Sequence, residues 1–98
     1  METLIQLTKD NYNYLHNGKV RFSRLIPQLV LEHQRQGYPE IPAVRIKYGK
    51  HPNGKSNLSV CPNLPDSVRQ ALILHRAQTG ETFSHYVNRL LYWHRGFD

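Results

Sequence analysis

The chain has 98 residues, with 13 Lys or Arg against 7 Asp or Glu, a formal charge of +6, and one cysteine, Cys61. That length suits one small domain, 1–98, and leaves no room for a second large core. The lone Cys excludes an internal disulfide framework and fits a reducing, cytoplasmic setting, while no apolar run reads as a membrane span or a signal-peptide core.

The positive balance favours a polyanionic partner, with double-stranded DNA the first expectation. By counting side chains, the charge divides into about +2 over 1–37, about +3 over 38–63 and about +1 over 64–98. Arg45, Lys47, Lys50 and Lys55 make the middle segment the most basic.

In chain order, Thr3–Leu7 reads as a short strand. A short helix follows through Leu15, with Asp10 or Asn11 as its cap, and Asn17-Gly18 stops it. A longer helix runs from about Ser23 to Gln36, with Phe22, Ile26, Leu29, Val30 and His33 on one face. Pro27 implies either a start near Ile26 or a distorted first turn, because proline lacks the N–H an interior position needs.

Pro39 and Pro42 then break helix, and Ala43–Tyr48 alternates as a strand does. His51-Pro52-Asn53-Gly54 signals a turn, so 38–56 is either a basic hairpin or a linker. A further strand spans 57–61. Leu64-Pro65-Asp66 opens a helix with Pro65 at its first position and Val68, Ala71, Leu72 and His75 on one side. Thr79-Gly80 ends it. Thr82 caps a last helix whose apolar face is Phe83, Val87, Leu90, Leu91 and His94, and Gly96 ends that.

The segments Phe22–His33 and Phe83–His94 align, with Phe, Ser, Leu and His shared at Phe22/Phe83, Ser23/Ser84, Leu29/Leu90 and His33/His94. Each copy follows a short helix and, before it, a strand. This predicts two half-repeats, 2–36 and 57–96, flanking the 38–56 segment. The stretch Leu58–His94, with its strand, Leu64-Pro65-Asp66-Ser67-Val68, Gly80, the Thr82-Phe83-Ser84 entry and Val87/Leu90/Leu91, resembles the ribbon-helix-helix family of DNA-binding proteins. The first copy is shorter by about one helical turn and lacks the Pro-Asp opening. The resemblance implies an α+β fold in which two strands pair as an antiparallel ribbon that enters the major groove, while the start of the second helix touches phosphates. It also implies a repressor-like role in transcription regulation. With both halves in one chain, a tandem pseudo-dimer is the expected arrangement, strand 3–7 pairing with 57–61.

If Leu7 and Leu64 face the core, alternation puts Glu2, Leu4, Gln6, Ser59, Cys61 and Asn63 on the opposite face. Gln6 and Asn63 suit adenine, Ser59 is a flexible partner, and Leu4 suits a thymine methyl. Phosphate contacts are expected from Lys19, Arg21, Ser23, Lys47, Lys50, Lys55, Thr82 and Ser84, around helix starts and on the basic segment. The reading face holds no Arg or Lys, which raises a second expectation: a small inhibitor or adaptor that binds a larger protein, a nucleic-acid enzyme being one candidate. Tyr86, Trp93 and Phe97 on one flank of the last helix would then be its contact surface, or would thicken the core; a homodimer is another such association. Six histidines and one Cys show no metal spacing and no nucleophile pairing, so no enzyme activity, metal or cofactor is expected.

Overall fold

The computed structural model describes residues 4–18, 21–41, 47–49, 58–60 and 63–96. Their elements run β1 (Ile5–Gln6), α1 (Lys9–Asn17), α2 (Phe22–Arg35), β2 (Ser59–Val60), α3 (Asp66–Thr79) and α4 (Phe83–His94). The described residues form a small α+β fold: four helices and one two-stranded antiparallel sheet. Among the described residues no helix is long and apolar enough to cross a membrane.

The sheet joins two segments far apart in sequence. Ile5 pairs with Val60 and Gln6 with Ser59, and the Leu7 N–H extends the ladder to the Leu58 carbonyl at 2.9 Å. Alternation then sorts the side chains by face. Ile5, Leu7, Leu58 and Leu64 are buried and Val60 packs against the core, whereas Leu4 is 57% exposed and Asn63 is exposed. Burying each of these aliphatic side chains contributes about 1.5–3 kcal/mol, so a one-residue slip in register would be strongly disfavoured.

Two amphipathic helices, α2 and α4, pack on each other beneath the ribbon. Leu25, Ile26, Leu29 and Val30 of α2 meet Tyr86, Val87, Leu90 and Leu91 of α4, with Leu15, Val68 and Leu72 closing the flanks. Lys9 opens α1 two residues after Leu7, and Asp66 opens α3 two residues after Leu64. Both second helices begin at a Phe. α1 has 9 residues and α3 has 14.

Several local expectations change. The cap of α1 is Thr8, whose Oγ1 accepts from the Asn11 N–H at 3.3 Å. Asn11 lies inside the helix, wholly buried, and the helix runs on to Asn17. α2 starts at Phe22 despite Pro27, its sixth residue. The bond Pro27 cannot donate would have gone to the Ser23 carbonyl, on an exposed residue where water can serve it. Pro65 is the cap residue of α3 rather than its first helical residue. Gly80 ends α3 with φ 77°, a conformation that favours glycine.

His33 and His94 occupy matching places in sequence but differ in environment: His33 is buried and His94 exposed. After α2, Gly37 and Tyr38 adopt positive φ, and the turn brings the Pro39 carbonyl to His33 Nε2 at 2.8 Å. The strand expected over 43–48 and the turn at 51–54 fall mostly outside the described residues. Tyr48 forms one antiparallel bridge to Thr8. Gly49 donates to the Leu7 carbonyl at 3.0 Å and accepts from the Leu58 N–H at 2.7 Å. A Cβ at Gly49 would lie 2.7 Å from Leu58 Cδ1 and 3.0 Å from Lys9 N, so a larger residue at this crossing would have to displace Leu58 and crowd the Lys9 backbone.

Candidate nucleic-acid interface

The outward face of the ribbon carries Leu4, Gln6 and Ser59, with Asn63 just beyond β2. Gln6 and Ser59 stand opposite each other and are half-buried. A serine ties β1 to the start of α4, and another ties the residue before Leu64 to the start of α2. The Gln6 N–H donates to Ser84 Oγ at 3.0 Å, and the Asn63 N–H donates to Ser23 Oγ at 3.3 Å. Ser23 and Ser84 are the second residues of α2 and α4, and Gln6 and Asn63 immediately precede Leu7 and Leu64. The two clamps are therefore reciprocal. Each serine hydroxyl accepts a backbone N–H and keeps its own proton to donate.

The other expected phosphate contacts are distributed around these starts. Thr82 caps α4, its Oγ1 accepting from the His85 N–H at 3.2 Å. Arg21 is the cap residue of α2, without a side-chain cap bond, and is exposed, as is Arg24. Lys47 is exposed beside the Tyr48 bridge. Lys19, Lys50, Lys55 and Phe97 lie outside the described residues. On the aromatic flank, Tyr86 is 2% exposed, so its ring offers no surface to a partner. It is stacked against His75, with ring centres 3.7 Å apart, and its hydroxyl meets His33 Nδ1 at 2.6 Å. Trp93 is half-buried, edge-on to His33.

Sequence reasoning missed the polar anchor that fixes β1 on α4. Asn88 is wholly buried. Its Oδ1 accepts from the Thr8 N–H at 3.0 Å and from Asn11 Nδ2 at 2.8 Å. Its Nδ2 donates to the Gln6 carbonyl at 2.8 Å and the Ser84 carbonyl at 2.6 Å. Arg95 Nη2 donates to Asn11 Oδ1 at 2.7 Å, and Thr8 Oγ1 bonds the Tyr92 hydroxyl at 2.9 Å. The available signal was a polar residue at two core positions: Asn88 where the first copy has Pro27, and Asn11 where the second has Val68.

A second cluster, also missed, joins α3 to α4. Glu81 receives His75 Nε2 at 2.8 Å, Arg89 Nη1 at 2.9 Å and His85 Nδ1. Burial disfavours its charge, but hydrogen bonds from His75, Arg89 and His85 outweigh that and lower the carboxyl to about 2. Arg89 also reaches the Ile41 carbonyl at 3.1 Å, tying in the segment after α2. The cluster lines an open concavity of about 560 Å³ with Thr79, Gly80 and Thr82. Three donors already meet this carboxylate, and a guanidinium is one of them, which makes the cluster an internal tie rather than a cation site. No metal-holding group of His, Cys, Asp or Glu occurs among the described residues. The signal for this cluster was the Glu81/His85 spacing on the entry to a helix, with Arg89 one turn further.

The His33–Tyr86 pair lies beside a neighbouring cavity of about 360 Å³ that His33 lines. Burial lowers the His33 pKa, and burial raises that of Tyr86. The geometry agrees: a neutral His33 donating from Nε2 to Pro39 leaves Nδ1 to accept the Tyr86 hydroxyl proton.

Comparison with protein-family models, with curated proteins and with solved structures gave no match.

Proposed function

We propose that this chain is a non-enzymatic, repressor-like DNA-binding regulator. In this reading it is a ribbon-helix-helix pseudo-dimer completed within a single chain, and it inserts its two-stranded ribbon into the major groove. The observation that carries the reading is the antiparallel pairing of Ile5–Gln6 with Ser59–Val60, apolar side inward and amide and hydroxyl side outward. The reciprocal clamps of Ser84 on Gln6 and Ser23 on Asn63 support it, because they set a helix start at each end of the ribbon. The net charge of +6 supports a polyanionic partner.

A two-stranded ribbon fits the major groove, where each base pair displays a distinct donor and acceptor pattern. Gln6 and Asn63 would read adenine edges, Ser59 either donor or acceptor, and Leu4 a thymine methyl. Arg21, Ser23, Lys47, Thr82 and Ser84 would grip the backbone, with Lys19, Lys50 and Lys55 assisting. Such contacts orient the protein without reading sequence.

Titration of a labelled mixed-sequence duplex at low and at moderate salt tests the reading. The expected result is binding that weakens steeply as salt rises. Absence of binding at both salts overturns it. The second reading, a small inhibitor or adaptor of a larger protein, is favoured by the exposed Leu4, Ile73 and Leu74. It gains if duplex binding is absent while one purified partner comigrates stoichiometrically with the chain.

A further inference from the structure

We infer that one copy of this chain recognises a short, non-palindromic duplex site, with Gln6 and Asn63 reading its two non-equivalent ends, an inference that rests on the DNA-binding reading above.

The ribbon is closed within the chain. β1 and β2 hydrogen-bond to each other, and the helices beneath them come from the same polypeptide. No second copy is needed to complete the reading face. Two identical chains related by a two-fold axis would present the same side chain at both ends of a ribbon, and would therefore match a duplex whose halves are also related by two-fold symmetry. Here the clamps keep the symmetric geometry while the side chains break it.

The residues held by the clamps are Gln6 at one end and Asn63 at the other. Both carry a carboxamide suited to adenine, but glutamine reaches one methylene farther, roughly 1.5 Å. Burial differs too: Gln6 is half-buried and Asn63 exposed. The same base at the same depth cannot satisfy both. Leu4, exposed on β1, and Ser59, opposite Gln6 on β2, add an apolar contact and a hydroxyl at places that are not equivalent.

The helix starts that flank the ribbon are equally unlike. The α2 start carries exposed Arg21 and Arg24. The α4 start carries Glu81, Thr82 and His85, and Arg89 is turned onto Glu81. Of the two helix starts, that of α2, beside Asn63, therefore attracts phosphate more strongly, while at the Gln6 end the exposed Lys47 sits by the Tyr48–Thr8 bridge instead. Unequal grip and unequal reading together fix one orientation of the chain on the duplex.

The test is repeated selection of duplexes from a randomised pool with the purified full chain, followed by sequencing and by measurement of chains per duplex. The expected result is an enriched motif without internal two-fold symmetry, bound by one chain. Gln6→Ala should relax the preference at one end of that motif, and Asn63→Ala at the other. Each should cost about 5- to 150-fold in affinity for the selected site. Gln6 is half-buried and Asn63 exposed, and it is their backbone N–H groups that bond the serines, so both variants should keep the fold; circular dichroism checks this. A palindromic motif bound by two chains overturns this inference and leaves the DNA-binding reading standing. Duplex binding with no enriched motif also overturns it. No duplex binding overturns both.

Discussion

Replacing Asn88 with Ala removes four hydrogen bonds, to Gln6 of β1, to Thr8, to Asn11 of α1 and to Ser84 within α4. The consequences are unequal. The Thr8 N–H sits on a buried residue and is deprived of its acceptor. The Gln6 carbonyl belongs to a half-buried residue, so water replaces part of its bonding. Asn11 Nδ2 retains the backbone carbonyl of residue 88 at 3.2 Å. The Ser84 carbonyl lies within α4 and has its helical partner in any case. One fully stranded buried group costs about 1–3 kcal/mol. With a partly stranded second and a small cavity, the total is about 3 kcal/mol. For a domain whose whole stability is about 5–15 kcal/mol, that is a large share. Urea denaturation should show a midpoint lowered by about 1–3 M, taking a slope of about 1–3 kcal/mol/M. Asn13→Ala, on the exposed side of α1, should change stability by less than about 0.5 kcal/mol. If Asn88→Ala costs no more than this control, the buried anchor does not hold the ribbon as described.

Gly49→Ala should cost about 1–3 kcal/mol, because the new methyl meets Lys9 backbone as well as the Leu58 side chain; thermal unfolding checks it. Pro27→Ala should raise stability by about 1–2 kcal/mol in the same assay, since it restores a missing helical donor in α2 but frees the unfolded chain. Glu81 has its pKa lowered from 4.5 to about 2, so its ionised form stabilises the fold above pH 4.5. That contribution should fade as pH falls from 4.5 toward about 2, and Glu81→Gln should flatten this part of a melting-temperature profile against pH. Arg21→Ala with Arg24→Ala should make duplex affinity less salt-dependent, lowering the slope by about 0.9 for each phosphate that is no longer neutralised; a slope unchanged from wild type contradicts the assigned grip.

The elements that were legible in the sequence are those with strong periodicity. The apolar spacing of Ile26, Leu29 and Val30, and of Val87, Leu90 and Leu91, predicted the two packed helices because one buried stripe dictates the pattern. On the premise that Leu7 and Leu64 face the core, strand alternation puts Ile5 and Val60 on the same side; the structure buries Ile5, Leu7 and Leu64, packs Val60 against the core and pairs the two distant strands. Caps were harder to read. Thr8 displaced Asp10 and Asn11 because Asn11 is drawn into the core by Asn88, a tertiary partner that local propensity does not contain. His94, expected on the apolar face of α4, is exposed, while Tyr86, for which a contact surface and the core were both open, is buried against His33 and His75. The Glu81 cluster escaped notice because its members bridge a helix end, a loop and a helix start, where no single period applies.

If the outer ribbon face meets DNA, a bound duplex added to the isotope-labelled chain should shift the backbone amides of Leu4, Gln6, Ser59 and Asn63 most, with a second group at Arg21–Ser23 and Thr82–Ser84. Changes confined to the exposed face of α3 around Ile73 and Leu74, with the ribbon unmoved, would contradict it.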